Sequence, residues 1–467
     1  MIPQGLLPIA PLRTALLSRE LSVATLIEKV LTRIVEWDDP AIWISRTSDA
    51  LLRQRAWDLD AAANSDADLI QRLPLFGITF AVKDNIDVAG MPTTAACPAF
   101  AYIPSETAAV VEHLLSAGAV FVGKTNLDQF ATGLVGTRSP YGIPRNPFGA
   151  DYIPGGSSSG SAAAVAAGLV SFALGTDTAG SGRVPAAFNN IVGLKPTRGL
   201  VSTRGIVPAC RSIDCVSIFA LTADDAAAVF DVVACLDPDD PLARQPQSAN
   251  LPSVGSTFQF GVPSASDLDF FGDREAAALF AGAIARLEQI GRTSREVPFW
   301  PFREAGRLLY DGPWIAERLH AAQSLLDENP SAILPVTRRI LEEGRRYSAL
   351  DTYRAQYELA SLKREADLVF ASIDMLLLPT TGTIYKTAAV KADPLQLNAN
   401  LGLYTTFVNL LDLAAIAVPA GIRSSGLPYG VSLIGPAFAE RKLLQVADLF
   451  QKSSGLPLGA PARASVS

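Results

Sequence analysis

The sequence predicts an α/β protein, and three observations carry that prediction. Short β-branched or aromatic runs alternate with longer amphipathic runs, the pattern of strands and helices layered about a sheet. Of 467 residues, 49% are hydrophobic and 18% charged, ample material for a large core and too apolar for wholesale disorder. Mean hydropathy is +0.25, in the same sense.

The elements follow in order. Leu12, Leu16, Leu17, Leu21, Leu26, Ile27, Val30, Leu31 and Ile34 recur at helical spacing and predict a helix over 11–36. Its apolar residues cover more than one stripe, so residues 1–70 are expected to form an N-terminal helical segment that contacts a second subunit in a homodimer. A second helix is expected over 47–64. Phe76 to Val82 reads as a buried strand ending at Lys83. Thr107 to Ala117 reads as a helix, Ala119 to Val122 as a strand, and Asn126 as the cap of a further helix. Residues 157–168 are Ala-rich and helical, and 170–174 form a strand. The polar, Pro-rich stretch 237–253 predicts a surface link, and Phe258 to Val262 a strand. From 273 to 371 the chain reads as mostly helical, interrupted at Pro298, Gly312-Pro313 and Asn329-Pro330. Strands return at 374–378, 415–418 and 428–434. A last helix covers 439–452, and residues 456–467 read as a flexible tail. No internal repeat is visible.

Charge and rare residues exclude several functions. Lys+Arg is 39 and Asp+Glu 46, a net charge of −7, so the basic footprint of a nucleic-acid-binding protein is missing. The two histidines, His113 and His320, and four cysteines form no metal-ligand spacing, so neither zinc, an iron–sulfur cluster nor another cofactor is expected. The cysteines read as reduced thiols. Three prolines interrupt the apolar first 18 residues, which do not read as a secretory signal. The uncharged stretch 152–176 is long enough to span a membrane, but it opens with Pro154 and a Gly/Ser run unsuited to lipid. A cytoplasmic protein without membrane contact is expected.

Three segments depart from ordinary strand and helix composition. Lys83 ends an apolar strand, where it reads either as a solvated strand end or as a buried base. Gly155-Gly156-Ser157-Ser158-Ser159-Gly160-Ser161 resembles a linker but feeds directly into a helix, as tight backbone sites do. Gly175 to Pro185 places Ser181 among small residues, either a plain loop or a turn that offers a hydroxyl and several N–H groups together.

Together these segments resemble the amidase signature family. Lys83 precedes Ser157 by 74 residues and Ser181 follows it by 24, matching the family's Lys–Ser–Ser triad. Lys83-Asp84-Asn85, Gly123-Lys124-Thr125-Asn126 and Gly193-Leu194-Lys195-Pro196-Thr197 match as well. The resemblance runs from about residue 20 to 455. It implies a large mixed β-sheet flanked by helices on both faces, and a catalytic domain over 71–455 whose portion at about 273–371 binds substrate. It also implies Ser181 as nucleophile, Ser157 beside a cis peptide as proton relay, and neutral Lys83 as base. The N–H groups of Thr178, Ala179, Gly180 and Ser181 would hold the oxyanion. One departure is Ala179, where the family usually has glycine, so the backbone there must suit a side chain. Neither histidine is placed as expected for a Ser-His-Asp triad.

A narrower likeness is to allophanate hydrolases. It rests on Phe130 to Gly142, Pro208 to Ser217, and Tyr310 followed by Arg318. It implies Tyr310 and Arg318 as ligands of a substrate carboxylate and Gly133 and Gly136 as substrate contacts. The implied substrate is a small anionic amide and the implied pathway partner a urea carboxylase. Allophanate hydrolases often carry a further C-terminal domain, and this chain is expected to hold the amidase domain alone. Two other readings stand beside this one: the glutaminase subunit of a tRNA-dependent amidotransferase, and a scaffold that has lost activity, against which the intact triad argues.

Overall fold

Eleven strands among the described residues join one mixed sheet. They are β1 (Trp43–Arg46), β2 (Thr79–Lys83), β3 (Val120–Thr125), β4 (Phe172–Asp177), β5 (Val192–Lys195), β6 (Cys215–Ala220), β7 (Gln259–Pro263), β8 (Thr293–Val297), β9 (Met375–Pro379), β10 (Leu413–Ile422) and β11 (Pro428–Pro436). Across the sheet the order is β1-β3-β2-β4-β6-β5-β10-β11-β9-β7-β8. Helices cover both sides. The computed structural model describes residues 5–66, 68–246, 258–291 and 293–460.

The strands β3, β2 and β4 run parallel side by side, and β6 returns antiparallel beside β4. Every residue of β2, β4 and β6 is buried. This explains their unbroken apolar runs, since a strand covered on both faces has no polar side to present. Phe80 of β2 stacks on Phe172 of β4 with ring centroids 5.4 Å apart. The uncharged stretch 152–176 is therefore interior: it supplies the helix Ser159–Ala166, all of it buried, and most of β4. No helix among the described residues is long and apolar enough to cross a membrane.

The expected helix over 11–36 is two helices, Ile9–Leu17 and Val23–Trp37. Arg19 takes a left-handed φ of +62° between them, and Ser22 caps the second through the Thr25 amide. Two axes account for the two apolar stripes. Leu12, Leu16, Leu26, Ile27, Val30 and Leu31 are buried against this chain's own core. Much of the apolar surface that pointed to a second subunit is thus covered within this chain, while Leu17 and Val35 remain exposed. The same apolar cluster runs from Leu6 to Ala460, so residues 5–66 share the core of the sheet.

Within 273–371 the expected helices are Arg274–Gln289, Trp300–Asp311, Trp314–Glu328, Pro335–Glu343 and Ala349–Phe370. The strand β8 also lies there; three of its five residues, Thr293, Arg295 and Glu296, are polar and exposed, which hid it. Asn126 caps no helix. Its side chain joins Ala41, Gly142, Leu127 and Ser139, and with Phe130 and Ala131 left-handed only a distorted 3-10 turn, Gln129–Ala131, follows it. The tail begins docked rather than free: Asn190 Nδ2 donates to Pro457 and Gly459 carbonyls, and the Ala460 amide donates to Ala166. Residues 461–467 lie outside the described residues, as do 247–257, which include the last part (247–253) of the expected link. In the rest of that link, Asp237 and Asp240 are buried.

Candidate active site

Lys83 ends β2, and Thr176 and Asp177 end β4. The two strands are parallel neighbours, with Val82 paired to Leu174, so these side chains gather at the carboxyl edge of the sheet. Open α/β sheets bind ligands outside that edge. Lys83 is fully buried. Its Nζ lies 2.8 Å from Ser157 Oγ, 2.8 Å from Thr176 Oγ1 and 3.5 Å from the Thr176 carbonyl. Burial brings its pKa down to about 7, against the pull of Asp128, Asp214 and Asp177 and with the help of Arg318. The solvated strand end is thereby excluded, and a substantial share of Lys83 is neutral at pH 7.

Ser157 stands on a packed turn, two residues before the buried helix Ser159–Ala166. The Gly156–Ser157 peptide is cis. The Gly156 amide donates to Leu134 O at 2.9 Å, and Ser157 O accepts from the Asp128 amide at 3.0 Å. A Cβ on Gly156 would lie 2.2 Å from Asp128 Oδ2, so only glycine fits there. Asp128 is itself buried and also accepts from the Arg138 amide at 2.8 Å and the Gly136 amide at 2.9 Å. Burial raises its carboxyl above the usual range, Arg138 and these donors opposing.

The turn after β4 carries Ser181, which is 2% exposed. Asp177 braces it: its carboxylate accepts from the Gly180 amide at 2.9 Å, the Gly182 amide at 2.8 Å, and Arg183 Nε and Nη2 at 3.0 and 2.9 Å. Burial alone would raise this carboxyl, but Arg183, Lys195 and the amide donors outweigh it and hold it below the usual range. Gly180, expected as an oxyanion donor, thus has its N–H committed to Asp177. Among the described residues the amides of Thr178, Ala179 and Ser181 meet no acceptor. Alanine is tolerated at 179 because the left-handed residue is Gly180, at φ +133°. A Cβ there would lie 2.4 Å from Thr405 Oγ1.

Tyr310 and Arg318 come together across the Gly312-Pro313 break, with the guanidinium carbon 5.7 Å from the ring centroid. Arg318 is buried. Its Nη1 donates to Ala131 O and Thr132 Oγ1, both at 3.1 Å, while Nη2 is buried without an acceptor among the described residues. Glu317, the acid that a surface arginine would have used, instead accepts from Ser212 N and Oγ at 2.7 and 2.6 Å. Cavities of about 490 and 190 Å³ flank Tyr310. Gly136 is drawn to Asp128 rather than left free for a substrate, and Gly133 lies on the same carboxylate, where a Cβ would approach Oδ2 to 2.8 Å. His113 sits 3.4 Å from Cys235 Sγ, and His320 is exposed.

Sequence reasoning passed over Thr176, Asp128 and Asp214. It also missed the Asp177–Arg183 pair, although two opposite charges inside an otherwise small-residue segment were a readable signal. Nothing local marks Asp128, whose partners are all backbone amides.

Comparison with known proteins addresses the family of the chain. The sequence model for the amidase family matches residues 25–444. Urea amidolyase of Saccharomyces cerevisiae is 46% identical over 411 residues, 87% of this chain and 22% of that protein. This chain therefore spans about a fifth of the length of that relative. A glutamyl-tRNA(Gln) amidotransferase chain of Symbiobacterium thermophilum is 38% identical, over 96% of each of the two chains. Among solved structures, Kluyveromyces lactis allophanate hydrolase superposes with a TM-score of 0.88 at 40% identity, over 96% of this chain and 74% of that one.

Proposed function

Because the chain belongs to the amidase family and is a hydrolase acting on amides, we propose that it cleaves the terminal amide of allophanate (urea-1-carboxylate) and releases ammonia. The observation that carries this reading is buried Arg318 beside half-buried Tyr310, with Arg318 Nη2 unengaged. A small planar amide bearing a carboxylate suits a fixed arginine fork, which binds carboxylate through parallel hydrogen bonds. Gly133 would line the same end by its backbone. Relatives named urea amidolyase and allophanate hydrolase support the substrate, and a urea carboxylase would be the upstream partner.

In the proposed mechanism Ser181 Oγ attacks the amide carbonyl. Its proton passes to Ser157 Oγ as the Ser157 proton passes to Lys83 Nζ. The tetrahedral oxyanion is met by the amides of Thr178, Ala179 and Ser181. Collapse expels ammonia, which takes the proton back along the same relay, and leaves an acyl group on Ser181. Water then attacks as the relay takes its proton, the acyl–Oγ bond breaks, the relay returns that proton to Ser181 Oγ, and N-carboxylated carbamate is released. The short Lys83–Ser157 contact and the low pKa of Lys83 support this order. Four free cysteines are in keeping with a reducing, cytoplasmic setting.

A second reading is the glutaminase component of a tRNA-dependent amidotransferase, favoured by the end-to-end match to the Symbiobacterium chain. Ammonia release measured across allophanate, biuret, malonamate, glutamine and neutral amides tests both. The expected result is the highest kcat/KM on allophanate. A preference for glutamine, or for long apolar amides, would overturn the allophanate assignment.

A further inference from the structure

We propose that Asp214 is a positioning residue of the hydrolytic site, holding through one buried carboxylate both the head of the nucleophile turn and the segment that meets Arg318. The inference rests on reading 178–181 as the oxyanion-binding turn.

Asp214 directly precedes β6. Its Oδ1 accepts from Thr178 Oγ1 at 2.5 Å, and its Oδ2 from the Ala209 and Cys210 amides at 2.7 and 3.1 Å. No cation lies in contact with it among the described residues. A buried carboxylate held only by neutral donors is costly, and these donors are placed to matter. Thr178 offers one of the three unengaged amides, and anchoring its side chain fixes the peptide that carries that amide. Oxyanion stabilisation depends on donors held in place before reaction. Cys210, gripped by the same carboxylate, packs its Sγ 3.4 Å from the carbonyl of Trp314, which opens the helix bearing Arg318. One side chain thus sets the oxyanion turn relative to the carboxylate-binding end.

The carboxylate also acts by its charge. Lys83 feels Asp128, Asp214 and Asp177 as attractive charges and Arg318 as a repulsive one. Outward, Asp214 lines a cavity of about 290 Å³ together with Asp87, Tyr102, Arg204, Arg211, Asp239 and Asp240. Burial lifts its own pKa to about 6, Thr178, the two amides and Arg318 opposing. In its ionised form it favours the protonated form of Lys83.

The test compares Asp214→Asn, Thr178→Val and Thr178→Ser in the whole chain. The readouts are kcat, KM and pH profile on whichever amide the parent hydrolyses fastest, fluorophosphonate labelling of Ser181, and thermal melts. Asp214→Asn is expected to lower kcat roughly 10- to 100-fold, short of the about 10²–10³ of a lost oxyanion donor, with KM changed less than about threefold. Its acid limb should move to lower pH, because a charge that favours protonated Lys83 is gone. Thr178→Val should lower kcat similarly without moving that limb, and Thr178→Ser should recover most of the loss. A folded Asp214→Asn with parental kcat, or with an unmoved acid limb, overturns the proposal. If Asp214→Asn does not fold, parental kcat in Thr178→Val overturns it. A parent that hydrolyses no amide and leaves Ser181 unlabelled overturns the function proposed above, and this inference with it.

Discussion

Asp177 and Arg183 meet as a buried two-point ion pair, Nε to Oδ2 at 3.0 Å and Nη2 to Oδ1 at 2.9 Å, and Ser181 lies in the turn that they close. Neither charge has water to fall back on, so removing one partner strands the other. Such a loss costs about 3–5 kcal/mol. Arg183→Leu is therefore expected to lower the unfolding free energy by about that amount in denaturant melts, and to abolish hydrolysis as the turn relaxes. A variant within about 0.5 kcal/mol of the parent would mean that the turn is held by its amide bonds alone.

Lys83→Met should separate activity from stability. Loss of a positioned base lowers the rate by roughly 10²–10⁴, read as kcat. In the parent, hydrolysis should rise with pH through about 7 as Lys83 becomes neutral. Stability follows the same titration. Between about 7 and the ordinary 10.5, the unfolded chain binds a proton at Lys83 that the folded chain does not. Stability therefore rises with pH across that window. Lys83→Met removes the penalty, so calorimetry should find it more stable than the parent at pH 6–7, with the gain gone above pH 10.5. A variant less stable than the parent at pH 6 would contradict the dry, neutral lysine.

The two small residues before Ser181 should respond oppositely. Gly180→Ala forces a side chain into the left-handed backbone and onto Thr405, a change that costs about 1–3 kcal/mol where the backbone cannot relax. Its kcat should fall at least about 100-fold, the scale of a lost oxyanion donor. Ala179→Gly needs no such adjustment and should keep kcat within about threefold, since glycine adopts any backbone that alanine does. Equal tolerance at both positions would rule out the geometry described for the turn.

Arg318→Met keeps the buried volume and removes the fork. If Arg318 binds the substrate carboxylate, kcat/KM for allophanate should fall roughly 10- to 100-fold, the equivalent of ~1.5–3 kcal/mol for a charge-assisted hydrogen bond. Most of the change should lie in KM. Tyr310→Phe should cost less, about 0.5–1.5 kcal/mol for a neutral donor. Neutral amides should be affected little by either change. Unaltered allophanate kinetics in Arg318→Met would remove the substrate assignment and leave the amidase chemistry standing.

Much of this architecture was legible because it is written in local patterns. The buried strands β2 and β4 are apolar runs, and the Gly/Ser segment around Ser157 leads straight into an Ala-rich helix. The break at Gly312-Pro313 announced the bend that joins Tyr310 to Arg318. What could not be read depends on distant contacts. The left-handed backbone at Arg19 divides one apparent helix into two, and only the folded chain shows that most of both apolar stripes packs on its own core. Polar β8 looks like helix surface until β7 pairs with it. Asp128 finds its donors among loop amides, and Asp214 among loop amides and the Thr178 hydroxyl, and no spacing rule leads to such partners. The proposed oxyanion donors were legible as a segment but not singly, because the commitment of the Gly180 amide is decided by Asp177.

The crowding around Asp128 bears on how such a sequence can change over time. A methyl group at Gly156 or Gly133 would collide with the same carboxylate oxygen, 2.2 and 2.8 Å away. A smaller neutral residue in place of Asp128 would clear the space but abandon the amides of Gly136 and Arg138. These positions can drift only in concert, so single-step variants there should be purged while surface loops diverge freely. In a deep mutational scan they should form one epistatic block, with Asp128 as the residue whose identity decides what every other member tolerates.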